Sequence, residues 1–191
     1  FLSGDRLQIN TLGGDDMVTV DESGGLISAP ITYDGGNNSD TLLVTGNRRV
    51  DVVTYRPGPD VVEGRLTYDR STSADPEDPN DVPFMTIDFL NLEPIIDLVP
   101  VPAFPGALQV FGTDADNAIN YIAGPHSGVD DPVFNPGGVL NTGLITVDAY
   151  EGIEFANKDI VEIFGLAGDD VVNLNNPTVP TRFCDSAMMR S

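Results

Sequence analysis

The sequence is poor in residue types on which several classes of protein depend. Its 191 residues include one cysteine, Cys184, and no tryptophan. A single cysteine cannot form an internal disulfide bond or a cysteine-based zinc site, so neither kind of covalent or metal framework is expected. No apolar run reaches the length that spans a bilayer, and no signal peptide is recognisable, which predicts no insertion into a membrane.

Positive charge is also scarce. The nine lysine and arginine residues include only one lysine, Lys158, against 30 aspartate and glutamate residues, and the net charge is −21. Such a field repels phosphate backbones and anionic lipid surfaces, so nucleic acid is not an expected partner. The excess of carboxylates is compatible with binding of divalent cations, and equally with the solubility of an extracellular or salt-adapted protein.

Catalytic constellations are missing as well. The single histidine, His126, lies in a glycine-flanked loop with no second histidine near it, and Cys184 has no base near it in the sequence. Pairs of acids such as Asp130 and Asp131 arise by frequency alone among 30 carboxylates. We therefore expect a protein that is not an enzyme, with a polysaccharide-cleaving β-helix enzyme as the less favoured alternative.

A degenerate repeat organises the chain instead. The clearest copy, GLAGDDVVNL at 165–174, predicts a tight turn of glycine and aspartate followed by a strand with alternating apolar residues. Upstream copies are TLGGDDMVTV at 11–20, GGNNSDTLLV at 35–44 and GTDADNAINY at 112–121. In the second of these, Asn38 replaces a glycine, which is reasonable because asparagine tolerates left-handed backbone angles.

The rest of the sequence reads as short strands separated by turns, and no helix longer than two turns is expected. Most apolar strand starts are separated by about 16 to 23 residues, which favours an all-β fold of the parallel β-helix or β-solenoid type. A β-sandwich with two repeat-bearing halves is the alternative. The predicted starts are Ile9, Ile31, Val50, Leu66, Met85, Leu108, Ile145 and Val161.

One segment interrupts this pattern. Residues 70–83, RSTSADPEDPNDVP, contain three prolines and four acids, which predicts an exposed loop. This loop divides the chain into a repeat-bearing β region at 1–69 and a second one at 84–191, unless both regions belong to one continuous domain spanning 1–191.

The repeats resemble the RTX or haemolysin-type calcium-binding nonapeptide, G-G-x-G-x-D-x-U-x with U apolar, as it occurs in large secreted bacterial adhesin-like surface proteins. GLAGDDVVN at 165–173 matches its two glycines, its aspartate and its apolar position, and GGNNSDTLL at 35–43 matches with Asn38 in the fourth place. The resemblance implies Ca²⁺ as the cofactor. Its implied ligands are Asp15, Asp16, Asp40, Asp169 and Asp170.

The sequence also departs from that family. RTX repeats run in uninterrupted tandem, whereas Asp16, Asp40, Asn117 and Asp170 are 24, 77 and 53 residues apart along this chain. This spacing predicts that no tandem calcium roll forms. The alternative role of the aspartates is local, because turn carboxylates commonly accept hydrogen bonds from nearby backbone amides.

Together these features predict a non-catalytic structural module of a secreted bacterial surface protein, adhesin or extracellular filament. The first strand begins within six residues of Phe1, in mid-pattern and without an amphipathic cap, which predicts a mature or partial chain whose end is covered. The covering partner would be an identical copy stacked head to tail or further repeats of the same chain. Asn37 is the predicted acceptor of an N-linked sugar.

A carbohydrate-binding module is the alternative function, with glycans as the partner and tyrosine rings as stacking surfaces. The candidate tyrosines are Tyr33, Tyr55, Tyr68, Tyr121 and Tyr150.

Overall fold

The chain folds almost entirely into short β-strands. A computed structural model describes residues 5–70, 84–102, 106–125, 140–177 and 179–180. The only helix in these ranges is a single 3₁₀ turn, Glu22–Gly24. The strands are β1 (Leu7–Asn10), β2 (Met17–Asp21), β3 (Ile31–Asp34), β4 (Thr41–Thr45), β5 (Val52–Pro57), β6 (Glu63–Asp69), β7 (Phe84–Leu90), β8 (Ile95–Asp97), β9 (Ala107–Phe111), β10 (Ala118–Ala123), β11 (Gly143–Val147), β12 (Ile153–Phe155), β13 (Val161–Phe164) and β14 (Val171–Asn175).

These bounds confirm the all-β prediction. Each of the eight predicted strand starts lies in a strand or, for Val50, two residues before one. Within the ranges that the structure describes, no helix combines the length and apolar character needed to cross a membrane.

The strands form two seven-stranded sheets. The first has the order β1-β3-β7-β6-β5-β9-β13, and the second has the order β14-β10-β11-β12-β8-β4-β2. β1 and β2 therefore lie at one end of the two sheets, which we call the N end, and β13 and β14 lie at the other, the C end. Both sheets are mixed, with parallel pairs towards each end and antiparallel pairs in the middle.

The path of the chain explains this mixture. The chain alternates between the sheets from β1 to β4, so β1 pairs in parallel with β3, and β2 with β4. It then makes the antiparallel meander β5-β6-β7 in the first sheet and, later, the meander β10-β11-β12 in the second. In a solenoid of uninterrupted coils every strand would pair in parallel with its neighbours, whereas several of the described strands pair in antiparallel. The β-sandwich alternative is compatible with the two sheets.

Both sheets contribute to one hydrophobic core. Alternate residues of each strand are buried, as along β6, because successive side chains of a strand point to opposite faces. Tyr33, Tyr55 and Phe89 from the first sheet belong to the same buried cluster as Ile145 and Phe155 from the second. Full burial of such large apolar side chains contributes about 1.5–3 kcal/mol each, which makes this cluster the main source of stability.

The two predicted regions pair with each other. β3, β4 and β5, which precede residue 70, form parallel ladders with β7, β8 and β9, which follow residue 83. The predicted acidic loop at 70–83 lies outside the described residues except for Arg70, whose side chain is buried.

Candidate functional site

The four glycine-aspartate repeats occupy equivalent places in the fold. Each forms a turn, here called a corner, that leads from a strand of the first sheet into a strand of the second. Corner 1 is 11–16, corner 2 is 35–40, corner 3 is 112–117 and corner 4 is 165–170. The prediction that these repeats are turns feeding strands is confirmed.

Three corners share an unusual backbone. At the second position Leu12, Gly36 and Leu166 have φ values of 71°, 92° and 77°. At the fourth position Gly14, Asn38 and Gly168 have φ values of 121°, 85° and 103°. The left-handed conformation predicted for Asn38 is therefore present, and corners 1, 2 and 4 have the same shape.

Corners 1 and 2 stack on each other through carboxylate-to-amide hydrogen bonds. The amide of Asp16 donates to Oδ1 of Asp40 over 3.0 Å, and the amide of Ser39 donates to Oδ1 of Asp15 over 3.2 Å. Both bonds join residues 24 positions apart. An ionised acceptor strengthens a hydrogen bond to roughly twice that of a neutral pair, so these contacts fix the spacing of the two corners.

Corners 3 and 4 stack in the same way at the C end. The amide of Asn117 donates to Oδ1 of Asp170 over 2.9 Å, and the amide of Asp169 donates to Oδ1 of Asp116 over 2.8 Å. Here the partners are 53 residues apart. Long insertions in the sequence therefore do not prevent two corners from stacking, because both meanders lie within the sheets between the two corner pairs.

The structure divides the five predicted calcium ligands between the two ends. Asp15, Asp16 and Asp40 come together at the N end, and Asp169 and Asp170 at the C end. Among the described residues, no group of three acidic, histidine or cysteine side chains is placed to hold a metal ion. The carboxylates do accept backbone amides, as in the alternative role, but the donors lie in the neighbouring corner, 24 or 53 residues away, and not in the same turn. Calcium binding stays a prediction.

Replacing Asp40 by alanine should destabilise the protein by about 1–3 kcal/mol, because the amide of Asp16 then loses its acceptor. Urea unfolding followed by circular dichroism measures the change. Asp114→Ala, at an exposed position of corner 3, serves as the control and should change stability by less than about 0.5 kcal/mol. Equal effects of both substitutions would contradict a capping role for Asp40.

Sequence reasoning missed two members of the corner network. Asp116 aligns with Asp15 and Asp169 at the fifth position of its corner, so comparing that position across the repeats would have found it. Asp148 had no such signal. Its carboxylate accepts hydrogen bonds from the Asn117 side chain over 2.8 Å and from the Ala118 amide over 2.7 Å, and thereby joins the β11–β12 turn to corner 3.

The edge strands at both ends of the sheets carry exposed apolar residues. No described strand pairs with the outer edge of β1 or β2 at the N end, or of β13 or β14 at the C end. Met17 of β2 is 63% exposed, and Leu174 of β14 is 73% exposed. Leu12 in corner 1 and Leu166 in corner 4 are also exposed. Open parallel edges of this kind recruit further strands.

The single lysine is buried beside a carboxylate of β8. Nζ of Lys158 lies 3.2 Å from Oδ2 of Asp97, and neither side chain is exposed to solvent. The ammonium also donates to the backbone oxygens of Val99 and Ala156. Burial raises the pKa of Asp97 although the neighbouring Lys158 lowers it. Since this pair has no access to solvent, we interpret it as a structural connection between β8 and the β12–β13 turn.

A second buried acid should make stability depend on pH. Glu22 is fully buried, and burial raises its pKa to about 8, although its Oε1 accepts the amide of Arg48 over 3.1 Å. The folded protein then holds a proton that the unfolded chain releases near pH 4.5. The stability that the folded protein gains from holding this proton is complete below the unfolded pKa and is lost as pH rises through about 8.

The free energy of unfolding of the unmodified protein should therefore fall between pH 5 and pH 9, and Glu22→Gln should reduce this fall by roughly 2–4 kcal/mol. Each unit of pKa difference corresponds to about 1.4 kcal/mol. Urea unfolding across this range measures the effect, and Glu162→Gln on the exposed face of β13 is the control. A Glu22→Gln profile parallel to that of the unmodified protein would refute the assignment.

Three of the five candidate tyrosines are excluded from the predicted sugar-stacking surface. Tyr33, Tyr55 and Tyr68 have no exposed surface and belong to the core, because they occupy inward positions of β3, β5 and β6; Tyr121 and Tyr150 are half-buried. Tyr33, Tyr55 and Tyr68 are therefore unable to stack on a glycan.

A different row of side chains crosses the outer face of the first sheet. The Arg56 guanidinium lies 3.6 Å from the centre of the Phe111 ring, and Phe111 stacks on Phe164 with 4.7 Å between centroids. Beside Arg56, Arg65 forms a 2.5 Å ion pair with Asp88. These three charged residues line a cleft of about 550 Å³.

Several predicted positions lie outside the described residues. They include His126, Cys184 and the acidic pair Asp130–Asp131. The predicted glycosylation site, Asn37, is described and exposed in corner 2. Its modification stays a prediction.

Comparisons with known proteins supply no family for this arrangement. A scan against protein-family models, a search of curated protein sequences and a search of solved structures each found no match to the chain. The corners, the open edges and the outer face of the first sheet are therefore the features from which a function is inferred.

Proposed function

We propose that the chain is a non-catalytic structural module of a secreted bacterial surface protein, adhesin or extracellular filament, and that it assembles through its open β ends. The observation that carries this proposal is the pair of open parallel edges at each end of the two sheets. The exposed apolar side chains of Met17 and Leu174 lie on those edges. An edge of this kind in a module that acts alone would be a liability for uncontrolled association.

We further infer that the architecture is a β-sandwich with solenoid-like ends. The central meanders support the sandwich, and the stacked corner pairs support the solenoid-like ends. Such ends can be continued by more corners without changing the sheets, so an identical copy or further repeats of the same chain would suit them.

An extracellular or cell-surface location is part of the proposal. The net charge of −21 and the resemblance of the corners to RTX repeats support it. Mutual repulsion between copies with this charge opposes unspecific aggregation, which leaves a specific end-to-end contact as the favoured mode of association.

Light scattering and negative-stain electron microscopy at increasing protein concentration test the assembly. The unmodified protein should form linear oligomers, and Leu174→Lys on β14 should shift the onset to at least tenfold higher concentration, because the lysine would have to be desolvated in the contact. Val61→Lys provides the control, since Val61 is also exposed, at 52%, but lies in the β5–β6 turn away from both ends. Monomers at every concentration would refute the proposal.

Calcium-assisted rigidity is the remaining part of the proposal. A ligand bound only by the native state raises the melting temperature. A rise with Ca²⁺, absent with Mg²⁺ and lost in Asp40→Ala, would support ligation at the N-end corners. An unchanged melting temperature at millimolar Ca²⁺ would contradict it.

Carbohydrate binding is the second candidate function, and the row on the first sheet favours it. Phe164 is 38% exposed, and its ring extends the stack that begins at Arg56 and Phe111. The Phe164 ring provides a stacking face, and the cleft next to the row provides the guanidinium groups of Arg56 and Arg65 beside the carboxylates of Glu63 and Asp88, a combination that suits a sugar. A glycan array tests this function: binding that Arg56→Ala abolishes would support it, and an array without binding would dismiss it.

A further inference from the structure

We infer that the C end of one copy stacks on the N end of the next in a single defined register, with each residue of 161–175 opposite the residue whose number is 154 lower. Val161 then lies opposite Leu7, and Asp170 lies opposite Asp16. This inference rests on the proposed end-to-end assembly and specifies its partner, a second copy of this chain, and its geometry.

The two stacks within the chain show how such a contact is built. In the N-end stack a difference of 24 residues relates β1 to β3, corner 1 to corner 2, and β2 to β4 without any slip. In the C-end stack a difference of 53 residues relates β9 to β13, corner 3 to corner 4, and β10 to β14, again without any slip. A strand, a corner and a second strand therefore stack as one rigid unit.

The carboxylate-to-amide bonds give this unit a direction. In each stack we call the corner nearer the N end the lower one. The fifth residue of the lower corner, Asp15 or Asp116, accepts the amide of the fifth residue above it. The sixth residue of the upper corner, Asp40 or Asp170, accepts the amide of the sixth residue below it. Both stacks follow this rule with the same polarity.

The two open ends are complementary under this rule. Corner 4 of one copy becomes the lower corner, and corner 1 of the next copy becomes the upper one. The Asp169 carboxylate would then accept the amide of Asp15, and the Asp16 carboxylate would accept the amide of Asp170. Within the described residues, these two carboxylates and two backbone amides form no hydrogen bond.

The strands on either side of the corners also match in this register. Val161 and Ile163 of β13 are partly buried against the core, as are Leu7 and Ile9 of β1. Stacking β13 on β1 would pair Val161 with Leu7 and Ile163 with Ile9, and stacking β14 on β2 would pair Leu174 with Val20. The half-covered core at each end would thereby become continuous between copies.

The alternative of joining like ends lacks this complementarity. Two copies of corner 4 would place Asp169 against Asp169, so that acceptors meet acceptors in a chain of net charge −21. Head-to-tail contacts instead give each of these carboxylates an amide donor. Because repulsion between acidic copies is screened by salt, the onset of assembly should move to lower protein concentration between 0.02 M and 0.5 M NaCl.

Cysteine cross-linking tests the register. In a Cys184→Ala background, Thr19→Cys and Asn173→Cys introduce thiols at exposed positions that the register places side by side. The equivalent contact exists within the chain, where the Asn173 side chain donates to Asn120 Oδ1 over 3.0 Å. After oxidation, denaturing gels should show a ladder of covalent multimers for the double variant and monomers for each single-cysteine variant.

The slipped control is Met17→Cys with Asn173→Cys, which lies on the same face two residues out of register and should give at least tenfold less ladder. Equal ladders from both pairs, dimers from Asn173→Cys alone, or no ladder would overturn the inferred register. Light scattering of the unmodified protein separates the two proposals: assembly without an in-register ladder refutes the register alone, whereas a persistent monomer refutes assembly as well.

Discussion

Replacing Lys158 by methionine is expected to destabilise the native protein by about 3–5 kcal/mol at neutral pH. The ammonium faces Oδ2 of Asp97 at 3.2 Å, and both side chains are fully buried. Methionine fills a similar volume but provides no charge, so the Asp97 carboxylate would remain in the interior without its counter-ion. The backbone oxygens of Val99 and Ala156 would also lose a donor.

The effect should be smaller at pH 5 than at pH 8. Burial already raises the pKa of Asp97, and the loss of Lys158 removes a group that lowers this pKa. An acid whose folded pKa lies above its unfolded value stabilises the fold below the unfolded pKa and loses that contribution as pH rises through the folded pKa. At pH 5 a larger fraction of Asp97 carries a proton, which relieves the uncompensated charge.

Arg65→Met is the matched control for this measurement. Arg65 also pairs with an aspartate, Asp88, but the two side chains are 56% and 37% exposed. Ion pairs at the surface contribute about 0–1 kcal/mol, so guanidinium chloride unfolding should show a loss several-fold smaller than for Lys158→Met. Similar losses for both variants would show that the buried pair has no special structural role.

The second large effect is expected at the first position of corner 2. Gly35→Ala should cost about 3 kcal/mol, because a methyl group there would overlap the backbone oxygen of Asn91 and the side chain of Asp40. Asn91 begins the β7–β8 connection, and the oxygen of Leu90, the last residue of β7, accepts the Gly35 amide over 3.1 Å. A methyl group would therefore push apart two layers of the stack and displace the carboxylate that caps corner 1.

Alanine substitutions at two other glycines provide comparisons for the Gly35→Ala variant. Gly24→Ala should be nearly neutral, because a methyl group at Gly24 meets no atom within 4 Å. Gly165→Ala should have an intermediate effect, since the nearest atoms to the methyl group belong to the Asp170 side chain at the open C end and not to the backbone. Thermal unfolding should rank the losses as Gly35 first, Gly165 second and Gly24 last. A Gly35→Ala variant as stable as Gly24→Ala would contradict the close stacking of corner 2 on the β7–β8 connection.

The local structure was predictable because it depends on neighbours in the sequence. Alternating apolar residues fix the strands, and glycine or asparagine at the fourth corner position permits the left-handed angle observed at Asn38. The prediction erred for Tyr33, Tyr55 and Tyr68. Alternation shows that these tyrosines share a face of their strands, but only the packing of the second sheet shows that this face is the core.

The pairing of the corners could not be predicted, because it depends on contacts between distant residues. The predicted β-solenoid implied stacked turns, but the sequence did not show which turns stack: Asp40 reaches Asp16 across 24 residues, and Asp170 reaches Asn117 across 53 residues. Between corners 3 and 4 the chain forms the meander β10-β11-β12, which extends the second sheet towards its middle and leaves the two corners aligned. Sequence separation does not measure distance when inserted strands add to the width of a sheet.

Residue type and local order were enough to establish the all-β class, the positions of the corners and the scarcity of positive charge. The folded arrangement was needed to show that the single lysine is buried, that the aspartates accept amides from a neighbouring corner, and that corners 1 and 4 lie at opposite open ends. Burial, hydrogen-bond partner and direction depend on strands brought together from distant parts of the chain, after the entropy of closing the loops between them has been overcome.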